Sequence, residues 1–241
     1  MSTLRIAAWS GPRNISTAMM RSWENRPDTK VCDEPFYAHY LKSTGLDHPS
    51  RDEVLAHHES DWVKVASELI GPCSHPVYYQ KQMSHHLLPE ISREWLSEVT
   101  NIFLIRHPRE MMTSLMKQIP EPAIEETGLP QQLELFESLH AQGESPIVLD
   151  SKDILQEPRF MLSTLCEKLG IPFYEEMLSW PPGKRSTDGI WAPHWYATVE
   201  ASTGFAKWKQ KEEKVPAELE SLCLECEDIY GQLASHKMTP G

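Results

Sequence analysis

Short apolar runs alternate with longer stretches of helical period along most of this chain. Leu4–Trp9 (LRIAAW) is a mostly apolar run of strand length, and Ser16–Asn25 follows with a helical pattern and Ser16 as the expected N-cap. Val31-Cys32 is a short apolar step. Arg51–Leu69 carries Val54, Leu55, Trp62, Val65 and Leu69 at helical spacing, and Val77–Gln80 is a second strand candidate. A helix is expected over Pro89–Val99, running into Asn101–Ile105 (NIFLI), the clearest buried strand. Pro108 suits a first helical position and opens a helix to about Lys117. Ile147–Leu149 predicts a strand, Pro158–Leu169 a helix closed by Gly170, and Pro216–Leu233 a final amphipathic helix. Residues 181–214 keep neither period, yet hold Trp191, Trp195, Tyr196, Phe205 and Trp208, a composition unlike disorder.

Strands alternating with helices predict one α/β domain over residues 1–241, three layers deep, with a mainly parallel sheet. In such a sheet ligands lie beyond the carboxyl ends of the strands, so the residues just after each strand are where chemistry is expected.

Composition narrows the partners. With 23 Lys+Arg against 35 Asp+Glu the chain carries a net charge of −12, which repels nucleic acid and anionic membrane surfaces. No apolar run approaches the roughly 18 residues of a membrane span, and MSTLRIAAWSGPR has no charged-then-apolar leader pattern, so a cytoplasmic protein is expected. Five cysteines at irregular spacing make no disulfide framework. Cys223 and Cys226 form a single CxxC on a helical pattern. A tetrahedral zinc needs four ligands, so these read as helix cysteines and no metal is expected.

Two strand ends carry anion-binding chemistry. Gly11-Pro12-Arg13-Asn14-Ile15-Ser16-Thr17 joins the first strand to its helix and brings a cation, two hydroxyls and helix-start amides together. It lacks the Gly-Lys of a Walker A loop, and a capped helix with a solvated Arg13 is the plainer alternative. Arg106 ends the NIFLI strand, and Ser114 lies six residues into the next helix, about 9 Å along it. A guanidinium and a hydroxyl so placed can converge on one phosphate, although Arg106 can equally pair with Glu110.

Together GPRNIST and FLIRHPREMMTS resemble the 5′-phosphosulfate loop and the 3′-phosphate segment of the sulfotransferase superfamily, enzymes that use 3′-phosphoadenosine 5′-phosphosulfate (PAPS). Leu149–Gly183 is similar to the family's acidic-Leu, Pro, Leu-Cys-x-x-Leu-Gly, Pro-Phe run, so the resemblance reaches from about residue 4 to about residue 190. It implies a P-loop NTPase-like sulfotransferase fold and sulfuryl transfer from PAPS, without a metal, to a hydroxyl or amine of a small molecule. It also assigns Arg13 to the sulfuryl group, Ser16 and Thr17 to the 5′-phosphate, and Arg106 and Ser114 to the 3′-phosphate. Lys184 and Arg185 loosely match the family's last basic loop. Asn14-Ile15 depart from the usual Ser-Gly, and a β-branched Ile resists positive φ, so either the backbone path or the phosphate cradle is expected to differ.

An acceptor hydroxyl needs a base. Glu34 follows the short second strand about twenty residues beyond the loop, where several family members place a catalytic Glu; Asp33 and His39 are competitors. Lys81 resembles a strand-terminal Lys of the family and is expected to assist the leaving phosphate. His85 and His86 read as a surface pair. Trp191, His194, Trp195 and Tyr196 are candidates for the acceptor wall. Two other readings stay open: a P-loop phosphotransferase or NTPase, with Ile147–Asp150 as a Walker B strand, and a nucleotide-binding module without catalysis.

Overall fold

A computed structural model describes residues 3–210 and 213–239. The elements run β1 (Leu4–Ser10), α1 (Ser16–Glu24), β2 (Thr29–Asp33), α2 (Tyr37–Thr44), α3 (Arg51–His57), α4 (Trp62–Ile70), β3 (Val77–Met83), β4 (Thr100–Ile105), α5 (Pro108–Leu115), α6 (Leu129–Ala141), β5 (Ile147–Asp150), α7 (Ser151–Gln156), α8 (Pro158–Lys168), α9 (Ala192–Trp195), α10 (Ala197–Glu200) and α11 (Glu220–Ala234). The five strands are parallel in the order β2-β3-β1-β4-β5. Strand alternation sends Ala7, Trp9, Phe103 and Ile105 into a core with α4, α5, α6 and α11. Ile6, Ala8, Ile102 and Leu104 enter the opposite core, with α1 and α8. The expected three-layer α/β architecture is the one observed.

From β1 the chain crosses to one side of the sheet, and from β4 to the other. The adjacent carboxyl ends of β1 and β4 therefore open a crevice, the usual ligand position of such sheets. Side-chain hydrogen bonds hold this crevice. Asn14 donates from Nδ2 to the Leu104 carbonyl at 2.8 Å, and its Oδ1 accepts from the Ile15 amide at 2.9 Å and from the Ser151 hydroxyl. Gln132 on α6 donates to the Trp9 and Leu104 carbonyls at 3.0 and 3.2 Å.

Gly11 is required there by close approach. A Cβ at residue 11 would lie 2.3 Å from the Thr127 carbonyl oxygen, a backbone atom that has no cheap way to retreat. Gly11→Ala is therefore expected to cost about 1–3 kcal/mol, read as a lowered urea midpoint at unchanged slope.

Several elements differ from the sequence pattern for local reasons. Arg51–Leu69 is two helices, because Asp61 accepts the Val63 amide at 3.0 Å and starts α4 afresh. Pro89–Val99 forms turns and a 3-10 segment over Glu94–Glu98. The Arg93 guanidinium takes the carbonyls of Leu88 and Ile91, which a helix would have used, and that of Leu87 before them. β3 runs on to Met83 because Gln80, Lys81 and Gln82 are buried polar side chains, where alternation by polarity gives no sign of a strand. Ser16 is the first residue of α1 rather than its cap; Ile15 holds the cap position with no side-chain bond to the helix. The stretch 181–214 contains α9 and α10, and its residues 211–212 lie outside those described. Cys223 and Cys226 are buried on α11, and burial pushes both thiols up to about 11, as helix-packing cysteines rather than reactive ones.

Candidate active site

A cavity of about 480 Å³ opens at the carboxyl ends of the strands, lined by Pro12 through Ala18 and by residues of β3, α5 and the 191–206 segment. Its first half is cationic. Arg13 sits at φ 55° and donates from Nε to the Ser114 hydroxyl at 3.0 Å. Arg106 donates to the Arg13 carbonyl at 2.8 Å and pairs with Glu110 at 3.2 Å. The loop after β1 and the helix after β4 thus meet, as their motifs predict. Burial first, and then the neighbouring Arg106 charge, disfavour the Arg13 cation, a tension that an anion between the two guanidinium groups relieves. Ile15 lies at φ −93°, so the β-branched residue meets no left-handed strain; Arg13 takes that conformation instead. The uncapped start of α1 leaves its first-turn amides facing the same place, with Ser16 and Thr17 at hand.

The second half is a buried polar cluster. Lys81 donates to Asp33 at 2.8 Å, to Glu34, and to the Tyr196 hydroxyl at 2.7 Å. Tyr196 in turn donates to Asp33 at 2.7 Å and accepts from the Trp191 indole at 3.2 Å. Burial raises the Glu34 carboxyl above its ordinary range against the opposing pull of Lys81, and Asp33 adds to the rise. Burial opposes the Lys81 cation, but Asp33 and Glu34 outweigh it and raise its pKa. Glu34 has φ 44°, so two non-glycine residues of one cavity, Arg13 and Glu34, hold left-handed backbone. Such strain gathers at functional sites.

His85 and His86 also line this cavity, a correction to the surface reading. His86 is 3% exposed, its Nδ1 lacks a hydrogen-bond partner, and that nitrogen lies 3.9 Å from the Glu34 carboxylate. Burial pushes His85 down to about 3 and His86 well below the usual imidazole range, so both are neutral at physiological pH. Their signal in the sequence was position: both follow the carboxyl end of β3, which the polar run Gln80–Gln82 disguised.

The remaining candidates divide. Trp191, Trp195 and Tyr196 line the cavity, whereas His194 is exposed and bonded to Ser50 at 3.1 Å. Lys184 is exposed and Arg185 turns to Glu24 and the Pro181 carbonyl; neither lines the cavity. His39 lies between the Ser60 carbonyl and Glu90, away from Glu34. Asp150 is engaged as the cap of α7 through the Lys152 amide at 2.7 Å and by the Tyr230 hydroxyl at 2.5 Å. That removes the support for a Walker B role.

The parallel α/β sheet thus carries a cationic crevice between β1 and β4 with a buried acid–lysine cluster beside it. Residues 4–220 match the family described as the sulfotransferase domain, and the chain belongs to that family. Among solved structures it is similar to the sulfotransferase domain of the Synechococcus PCC 7002 olefin synthase, with TM-score 0.59, 15% identity and coverage of 95% of this chain and 94% of that one. It is also similar to the sulfotransferase domain of the curacin biosynthetic pathway, with TM-score 0.54, 16% identity and full coverage of both. At these identities the likeness is one of fold. A curated relative, branched-chain-amino-acid aminotransferase-like protein 2 of Arabidopsis thaliana, is 37% identical over 232 residues, covering 96% of this chain and 41% of that protein. The chain thus spans about two fifths of the length of the curated relatives it matches. Among the described residues no helix is long and apolar enough to cross a membrane.

Proposed function

We propose that this chain transfers a sulfuryl group from PAPS to a hydroxyl or amine of a small-molecule acceptor. The observation that carries the reading is the convergence of Arg13, Ser114 and Arg106 at one end of the cavity, within the same walls as Glu34, Lys81 and His86. The residues fit such a donor: two guanidinium groups, three hydroxyls and the first turn of α1 supply donors for two separate phosphates. PAPS, when bound, supplies the activated sulfuryl group and a stable phosphate leaving group.

The chain's own residues do the rest. Arg13, Ser16 and Thr17 hold the phosphosulfate end, and Arg106 with Ser114 holds the 3′-phosphate. Arg13 offsets negative charge growing on the bridging oxygen, a contribution of about 3–4 kcal/mol for a preorganised donor. Glu34 takes the acceptor's proton, and its raised pKa brings it closer to the working pH. Lys81 orients Glu34 and stays charged beside it. His86, neutral and unpartnered at Nδ1, is the second group able to accept that proton. An aminotransferase reading, suggested by the relatives' names, would need a lysine amine free to attack a carbonyl. Lys81, the lysine of this cavity, is held by Asp33, Glu34 and Tyr196.

The test is Arg106→Ala against two nucleotides. Binding of 3′,5′-ADP is expected to weaken by about tenfold to a hundredfold, as for a lost charge-assisted hydrogen bond, while 5′-AMP binding changes little. Calorimetric titration of both ligands decides it; equal weakening removes the 3′-phosphate role.

A further inference from the structure

The cavity is polarised along its length. Arg13 and Arg106 occupy the donor end, while Glu126 lines the cavity within reach of Tyr40 and His48, with its Oε2 accepting the Ala123 amide at 2.7 Å. The Glu126 charge reaches Tyr40 and His48 and favours proton retention on both. Lys81 is the cation nearest the acceptor end, and it is already matched by Asp33 and Glu34. Burial lowers His48, His85 and His86, so none adds positive charge near neutrality. The acceptor end is therefore acidic in balance, and its walls are aromatic: Tyr37, Tyr40, Trp191 and Trp195. His86 adds a buried polar nitrogen with no partner, beside Glu34. Carboxylates and aromatic faces in a partly dry cavity attract a cation and repel an anion.

We infer that the acceptor is a small cationic alcohol, a quaternary or protonated amine carrying a hydroxyl. The hydroxyl lies at Glu34 and His86 Nδ1, and the ammonium group lies against the aromatic walls near Glu126. The inference rests on the sulfuryl-transfer reading. In the step, the acceptor oxygen forms the new S–O bond as the S–O bond to the donor's phosphate breaks. The hydroxyl proton passes to Glu34, and the phosphate oxygen keeps the electron pair.

The experiment compares choline with its uncharged carbon isostere, 3,3-dimethylbutan-1-ol, at saturating PAPS. Choline is expected to have a kcat/KM at least about tenfold higher, and Glu126→Gln to shrink that ratio several-fold. The same pair is titrated into protein saturated with 3′,5′-ADP, where choline is expected to bind at least several-fold more tightly. Equal or reversed preference in the two assays overturns the inference, as does a Glu126→Gln effect that falls on both alcohols alike. Absence of choline binding to the nucleotide complex overturns it as well. If 3′,5′-ADP binds and the preference is missing, the acceptor inference fails and the sulfuryl-transfer reading stands. If 3′,5′-ADP does not bind, that reading fails and takes the inference with it.

Discussion

Glu34→Gln lowers saturated turnover by about 10²–10⁴-fold, the usual contribution of a positioned base. Glutamine keeps the size of the side chain and its capacity to accept from Lys81, so the cluster stays assembled and 3′,5′-ADP binding is nearly unchanged. Only proton acceptance is lost. The pH profile supplies the second readout. Burial holds the Glu34 carboxyl above the ordinary value of about 4.3, and the base works only when deprotonated. The rate of the parent protein therefore falls as pH drops through that raised pKa, and this acid limb disappears in the glutamine variant. Near-normal turnover with the limb intact would move the base to His86, the neighbour of Glu34 in the cavity. His86→Ala would then give the large loss.

Lys81→Met is expected to lower stability by about 3–5 kcal/mol, because it removes one partner of a buried ion pair and leaves charge behind. Lys81 is 1% exposed and Asp33 9%, so the two carboxylates it leaves have little water to turn to. The variant's pH dependence has a definite sign. Burial already raises the Glu34 carboxyl, and without the opposing pull of Lys81 it retains in the folded state a proton that the unfolded chain releases above the ordinary carboxylate range. The folded state then binds more protons than the unfolded one, and stability falls as pH rises. Urea unfolding at pH 5.5 and pH 8 measures this, with the deficit against the parent protein greater at pH 8. A uniform deficit at both values would show that Lys81 acts through packing of its stem alone.

Much of the donor end was legible in the sequence because it is built from contiguous segments. GPRNIST joins one strand to one helix, and Arg106 with Ser114 belongs to the next such unit, so local spacing carries most of the geometry. The departure at Asn14-Ile15 was legible as a question, and Asn14 answers it. Its amide ties the loop to β4, to Ile15 and to Ser151, so the loop is held by side-chain hydrogen bonds while Arg13 takes the left-handed turn. Elements fared less well wherever polar side chains are buried. β3 lost its last three residues to the run Gln80–Gln82, and with them the placement of His85 and His86. Helix α6 escaped notice altogether in a stretch that opens with Gly128 at φ 70° and Pro130 in its first turn.

The sequence by itself determined the alternation of strands and helices, the two strand-end segments GPRNIST and FLIRHPREMMTS and their order, and the acidic charge balance. Those properties depend on neighbours in the chain, on periodicity and on counting. The tertiary structure alone decided that Tyr196 reaches back across 163 residues to Asp33 and joins Lys81 and Glu34 in one buried cluster. It also decided that His86 faces Glu34 rather than solvent, and that Lys184, Arg185 and His194 stand outside the cavity. The physical reason is that a buried polar group is stable only through its partners, and those partners come from whichever strand ends the sheet order β2-β3-β1-β4-β5 sets side by side.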